Sequence, residues 1–235
     1  MKQIDFDHGT VTGNILGAAL PMLVAQILSL LYNIVDRIYI ARIPSVGTTA
    51  LGAVGLCFPI IVIITAFSNL FGSGGAPLFS INRGKGNIKK AEAIMNTSFS
   101  MLCICGVALM VIGMLFASPI LVLFGASEEG LSYAYPYMMI YLIGTVPSMV
   151  ATGMNPFINA QGYATSGMLS VTIGAVANLI LDPLFIFAFH WGIKGAAWAT
   201  VLGQVVSGVM ILIYFWKFSK MQLTRHHLMP HMKYL

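Results

Sequence analysis

Residues 176–200, VANLILDPLFIFAFHWGIKGAAWAT, decide how the rest of the chain is read. Two long apolar segments meet here at a short turn. The first carries Asn178 and Asp182, and the second carries Thr200. No charged residue lies within eleven positions of Asp182 on either side. A carboxylate in the middle of a membrane-length apolar segment is expensive and marks a candidate functional site. Asn178 and Asp182 are four apart, which places them on one face of a helix. Pro183 follows, lacks an N–H, and in a helix frees the carbonyl of Leu179. The stretch thus offers a carboxylate, an amide oxygen, a hydroxyl and a carbonyl, a hard-oxygen set suited to a small cation or a proton.

Working outward, composition sets the class. The chain has 235 residues, 58% of them hydrophobic and only 8% charged. Soluble domains carry roughly 25% charged residues. So little charge cannot cover a soluble surface, which makes this a membrane protein. The net charge of +5 is clustered and reads as a topology signal, without the footprint of a nucleic-acid binder. Cys57, Cys103 and Cys105 lie in apolar stretches and are expected to be buried free thiols. The first fourteen residues are polar and Gly-rich and do not read as a cleavable signal.

Six segments are long enough to span about 30 Å of hydrocarbon. They are predicted at 14–40, 50–70, 88–116, 133–152, 163–189 and 193–215, with the first, third and fifth looking long. Residues 1–13 read as a cytoplasmic N-terminal segment, 14–216 as one six-helix transmembrane lobe, and 217–235 as a cytoplasmic linker or tail. Placing the N-terminus inside puts nine of the twelve Lys and Arg in cytoplasmic segments, against Arg42 and Lys194 outside. Arg37 falls within the first span. This bias predicts both termini in the cytoplasm of a multi-pass protein of the plasma membrane. Gly9, Gly13 and Gly17 repeat at four and are expected to let helices approach closely. His226, His227 and His231 read as a solvated tail in preference to a metal site.

Apart from Glu92 at the start of the third span, only two of the seven acids lie inside the apolar spans, Asp36 and Asp182. Counted from the predicted outer ends, Asp36, Asp182 and Thr200 each lie about seven residues in, roughly 10 Å deep at 1.5 Å per residue. Three polar groups on three helices reach one depth, which predicts a shared site and makes the first, fifth and sixth spans neighbours. Two carboxylates there repel each other, and one proton or one sodium ion would neutralise the pair. That is the physics of an ion-coupled transporter. Asp36 could instead pair with Arg37, although adjacent side chains on a helix diverge. Tyr32, Asn33 and Tyr39 lie three or four residues from Asp36, and Gln204 shares a face with Thr200; each either lines a cavity or packs. Tyr137 and Tyr141 stack on one face of the fourth span and read as packing or interfacial residues. No HExxH, G-x-S-x-G or Walker A sequence occurs, so no enzyme is expected. An intramembrane aspartyl protease using the two acids is the one enzymatic alternative.

These residues resemble the MATE (multidrug and toxin extrusion) family, in its bacterial and archaeal branch. The resemblance is carried by Gly17-Ala18-Ala19-Leu20-Pro21 with Asp36 beyond it, and by Gly72–Gly75 leading to Arg83-Gly84-Lys85-Gly86-Asn87 and Ala91. It continues in Ala160-Gln161-Gly162, NLILDPLFIF at 178–187 and GIKGAAWAT at 192–200. It implies an antiporter that exports cationic amphipathic small molecules from the lipid bilayer environment against Na⁺ or H⁺, with no other cofactor. It implies twelve helices in two lobes, of which this all-α chain supplies the six of the N-lobe, so that a second six-helix lobe would be a missing half, a separate chain or a second copy. In family members with this pattern, the residues matching Asp36, Asn178, Asp182 and Thr200 make a cation site. A lipid-linked sugar flippase of the same superfamily is the runner-up, though such proteins line their cavity with Arg and Lys and, apart from Lys89, Lys90 and Lys194 at span starts, these spans hold only Arg37.

Overall fold

In a computed structural model the described residues are 10–219, and they form helices joined by short turns. The Gly9 end of the glycine repeat, the tail histidines and most of the segments at 1–13 and 217–235 lie outside them. α1 spans Val11–Ala41, α2 Gly47–Gly84, α3 Ile88–Leu123, α4 Glu128–Ile143, α5 Thr145–Ala160, α6 Ala164–Pro183 and α7 Gly192–Ile213. α6 and α7 run on through π-helical turns at Leu184–Ala188 and Tyr214–Phe218. Five helices are long and apolar enough to cross a membrane, six if the bent α4–α5 pair is one span. On that count Arg83, Lys85, Lys89, Lys90 and Lys217 fall at one end of the lobe, its basic end.

Local chemistry explains the starts and stops. Thr10, Asn87 and Ser127 accept backbone N–H bonds at the first turns of α1, α3 and α4. Gly162 closes the turn between α5 and α6 at φ 87°, a conformation that penalises any side chain. At the opposite end, His190 takes φ 56° without being glycine, and Phe185, Phe189 and Trp191 cluster around that turn at ring separations of 5.2–5.7 Å.

Three expectations are corrected. The second span is the longest, with 38 residues, because the helix runs straight through Pro59, Pro77 and the Gly72–Gly75 stretch. At 1.5 Å per residue it reaches about 57 Å. The glycines there serve a helix crossing: a Cβ at Gly72 would overlap the backbone of Gly153 on α5. The fourth span covers Glu128 to Ala160, well beyond 133–152, and bends by 56° at Gly144. Gly13 and Gly17, expected in a helix contact, are exposed on α1, and a Cβ at Gly13 would meet only Thr10 of its own turn. The close approaches fall elsewhere, at Gly72 with Gly153 and at Gly174 with Gly203.

Packing brings the first, fifth and sixth spans together: α6 lies along both α1 and α7, while α2 packs on α3 and α5. The core runs between α2, α3, α4 and α5, with Phe79, Leu102, Met138, Leu142, Met149 and Phe157 fully buried. At the basic end the Arg83 guanidinium donates to the carbonyl of Ala160 at 2.8 Å. Nearby, the Ser219 hydroxyl donates to Gln161 Oε1 at 2.8 Å, tying the close of α7 to the close of α5. Of the three free thiols, Cys57 is buried and donates to the carbonyls of Ala53 and Ala134, and Cys103 and Cys105 are half-buried.

Candidate functional site

The site sits where α1, α6 and α7 meet, and sequence periodicity puts it there. On α1 the positions Met22, Gln26, Ser29, Asn33 and Asp36 recur every three or four residues and face a common cavity of about 510 Å³. On α7, Thr200, Gln204 and Ser207 do the same. On α6, Gly174 lets Gly203 approach so closely that a Cβ there would lie 2.8 Å from the Gly203 carbonyl oxygen. That contact holds Asn178 and Thr200, one turn further along each helix, at the same level of the cavity wall.

Asp36, Asn178 and Thr200 line the cavity. Asp182 is fully buried against Asp36 and Asn178. The Asp36 and Asp182 carboxyls are neighbours across α1 and α6, and each lies in the other's field. The Asn178 amide donates to Asp182 Oδ1 at 3.3 Å. Its own Oδ1, Asp36 Oδ1 and Asp182 Oδ2 are buried and receive no hydrogen bond. Buried acceptors are almost always satisfied, and each that is not costs about 1–3 kcal/mol. Three donorless oxygens on two adjoining helices make a nest for a positive charge. The Thr200 hydroxyl donates to the Ala196 carbonyl at 3.0 Å, which leaves its lone pairs available to the same charge.

Among the weaker candidates, Tyr32, Asn33 and Gln204 line the cavity. Gln204 also donates from Nε2 to the Tyr141 hydroxyl at 3.3 Å, joining α7 to α4. Tyr39 is not at the cavity: its ring stands edge-on to Phe187 at 6.2 Å, so it packs. Arg37 makes no ion pair with Asp36; its guanidinium lies over the Phe58 ring, 5.9 Å from the centroid. Tyr137 and Tyr141, read from the sequence as packing or interfacial, are buried on the cavity wall with rings 6.3 Å apart and nearly parallel.

Sequence reasoning missed the α5 wall. Ser148, Thr152, Asn155 and Asn159 all face the cavity. They recur at four, three and four residues, which is a helical stripe, and the signal was in the sequence. It went unused because the fourth span was ended at residue 152, before both asparagines. The stripe is internally bonded, with Asn159 Nδ2 donating to Asn155 Oδ1 at 3.1 Å and Asn155 Nδ2 to the Gly167 carbonyl at 3.0 Å.

Known proteins resemble this chain in sequence and in fold. The MatE family model matches residues 21–184. The chain is 28% identical over 210 residues to the multidrug export protein MepA of Staphylococcus haemolyticus, a match covering 89% of this chain and 46% of that protein. It is 29% identical over 218 residues to the FAD transporter of Shewanella oneidensis, covering 88% and 48%. A solved outward-facing multidrug resistance MATE transporter of the MOP superfamily superposes with a TM-score of 0.88 at 25% identity, over 100% of this chain and 52% of that one. The chain thus spans about half the length of the relatives it matches. With a family model over most of its length and the fold of a solved transporter over all of it, the chain belongs to the MATE family, as a multi-pass membrane protein of transporters and not of enzymes.

Proposed function

We propose that this lobe is the cation-coupled half of an antiporter that exports cationic amphipathic compounds across the plasma membrane. The observation that carries the reading is the trio of donorless oxygens of Asp36, Asn178 and Asp182 beside a cavity of about 510 Å³. That volume suits a drug-sized molecule. Na⁺ would take both carboxylates, the Asn178 oxygen and the Thr200 hydroxyl; a proton would need only the carboxyl pair. A cationic substrate in the same cavity competes for the same negative charge. Occupation by one disfavours the other, and such exclusion is what exchange of ion for drug requires. The basic end faces the cytoplasm in this reading, and a second six-helix lobe supplies the other wall of the transport cleft.

Membership of a transporter family sets the aspartyl protease aside. The flippase reading is weakened because Arg37 is the only Lys or Arg that lines the cavity.

The test is efflux of a fluorescent cationic dye from everted vesicles carrying the protein, under imposed Na⁺ or pH gradients. Asp182→Asn and Asp36→Asn are expected to abolish gradient-driven efflux while the protein still inserts. Wild-type rates in Asp182→Asn under both gradients would remove the acid pair from the mechanism.

A further inference from the structure

We infer that the cavity has a second, positive pole at Arg37, which binds the carboxylate or phosphate of substrates built on a planar aromatic body. The inference rests on the proposed reading only in taking this cavity as the place where substrate sits.

A guanidinium at membrane depth is costly, and such groups normally pair with an acid or reach for the surface. Arg37 does neither. No ion pair to it occurs among the described residues, and the adjacent Asp36 turns instead to Asp182. Arg37 lies four residues short of the end of α1 at Ala41, about 6 Å, whereas Phe58 lies eleven residues into α2 from Gly47, about 16 Å. The guanidinium lies over the Phe58 ring, 5.9 Å from its centroid, and Arg37 lines the cavity. No hydrogen bond or ion pair from its donor fork occurs among the described residues. A planar donor fork of this kind matches a carboxylate or phosphate in two parallel hydrogen bonds.

The neighbouring wall suits what such an anion would be attached to. Phe58 lies under the guanidinium and lines the same cavity as Tyr137 and Tyr141, whose rings are nearly parallel and mostly buried. Flat aromatic bodies stack on such faces.

The two poles are linked by charge. Asp36 and Arg37 are adjacent and line one cavity, so an anion held by Arg37 feels the Asp36 carboxylate. The anion is repelled while the acid pair is bare and accepted once a cation or proton neutralises it. Cationic substrates obey the reverse rule. One cavity then handles both charge classes, with opposite dependence on the coupling ion.

The experiment measures equilibrium binding of three fluorescent coumarins to the purified chain in lipid nanodiscs. They are 4-methylumbelliferyl phosphate, 7-hydroxycoumarin-4-acetic acid and neutral 4-methylumbelliferone. We expect at least one anionic probe to bind roughly ten-fold or more tightly than the neutral one, the scale of a charge-assisted hydrogen-bond pair. The two anionic arms tell phosphate from carboxylate. Arg37→Gln should erase the preference while leaving neutral binding in place, which also reports folding. Arg37→Lys, with charge but no fork, should keep part of it. Asp36→Asn should strengthen anion binding several-fold by removing the repelling neighbour. Equal binding of all three probes to wild type, a preference that survives in Arg37→Gln, or weaker anion binding in Asp36→Asn would each overturn the assignment. None of these readouts involves dye efflux or Asp182, so this inference and the antiport reading fail separately.

Discussion

Asp182→Asn should make the lobe more stable in the absence of cation and deaf to cation when it is added. The replacement keeps the size of the side chain and the oxygen that accepts from Asn178 at 3.3 Å, and removes one charge. Two unit charges about 4 Å apart at an effective dielectric of 20 repel by about 4 kcal/mol. A shared proton or a stray cation relieves much of this, so about 1–2 kcal/mol of relief is expected from the substitution. For a chain of this size each kcal/mol shifts the melting temperature by about 2–4 °C, which gives a rise of roughly 2–8 °C. Wild type should instead gain stability as Na⁺ is titrated in, because a ligand that binds only the folded state stabilises it by mass action. The assay is thermal melting in detergent at fixed pH, with choline as the control cation. The reasoning fails if Asp182→Asn melts below wild type in choline, or if both proteins gain equally from Na⁺.

Three further outcomes follow from the same geometry. Thr200→Ala should weaken Na⁺ stabilisation by removing one oxygen from the shell, yet leave proton-driven dye efflux intact; efflux under separate gradients checks this. Gly174→Ala places a methyl group 2.8 Å from the Gly203 carbonyl oxygen and 2.9 Å from Ser207 Cβ, so it should cost about 1–3 kcal/mol and lower cation affinity by displacing Asn178, as melting with and without Na⁺ would show. Single cysteines at Lys85 and Glu128 should react with an impermeant thiol reagent added to intact cells only at position 128, since the basic end is proposed to face the cytoplasm.

The acid pair was legible in the sequence because charge is scarce here. With only two acids away from the ends of the spans, counting residues from each turn was enough to bring Asp36, Asp182 and Thr200 to one level, and the fold joins their helices. The α4–α5 bend was not legible. Gly144 looks like any membrane glycine, and the space a side chain there would need is taken by Gln204 on α7, whose Oε1 would lie 2.5 Å from a Cβ at 144. That is a contact across 60 positions of sequence. The length of α2 was hidden for a related reason. Its glycines read as a break, whereas Gly72 is needed to seat the backbone of Gly153. Tyr32 and Tyr39 flank Asp36 at four and three residues, both helical spacings, and only the position of Phe187 decides that Tyr39 packs while Tyr32 faces the cavity.

The π turn at Leu184–Ala188 has a consequence for how this protein can vary. Such a turn is what an α-helix does with one surplus residue: it widens locally and does not pass the change of phase down its whole length. The surplus lies just past Pro183, so it separates two jobs on one helix. Before it, Asn178 and Asp182 are held in register with α7 by the Gly174–Gly203 contact. From Phe185 within it onward, Phe185, Phe189 and Trp191 form an aromatic lid at the following turn. Insertions and deletions falling in Leu184–Ala188 can therefore be taken up as a wider or a tighter turn, and the lid can be re-cut for a different lipid surface or a different visitor without turning the acids away from each other.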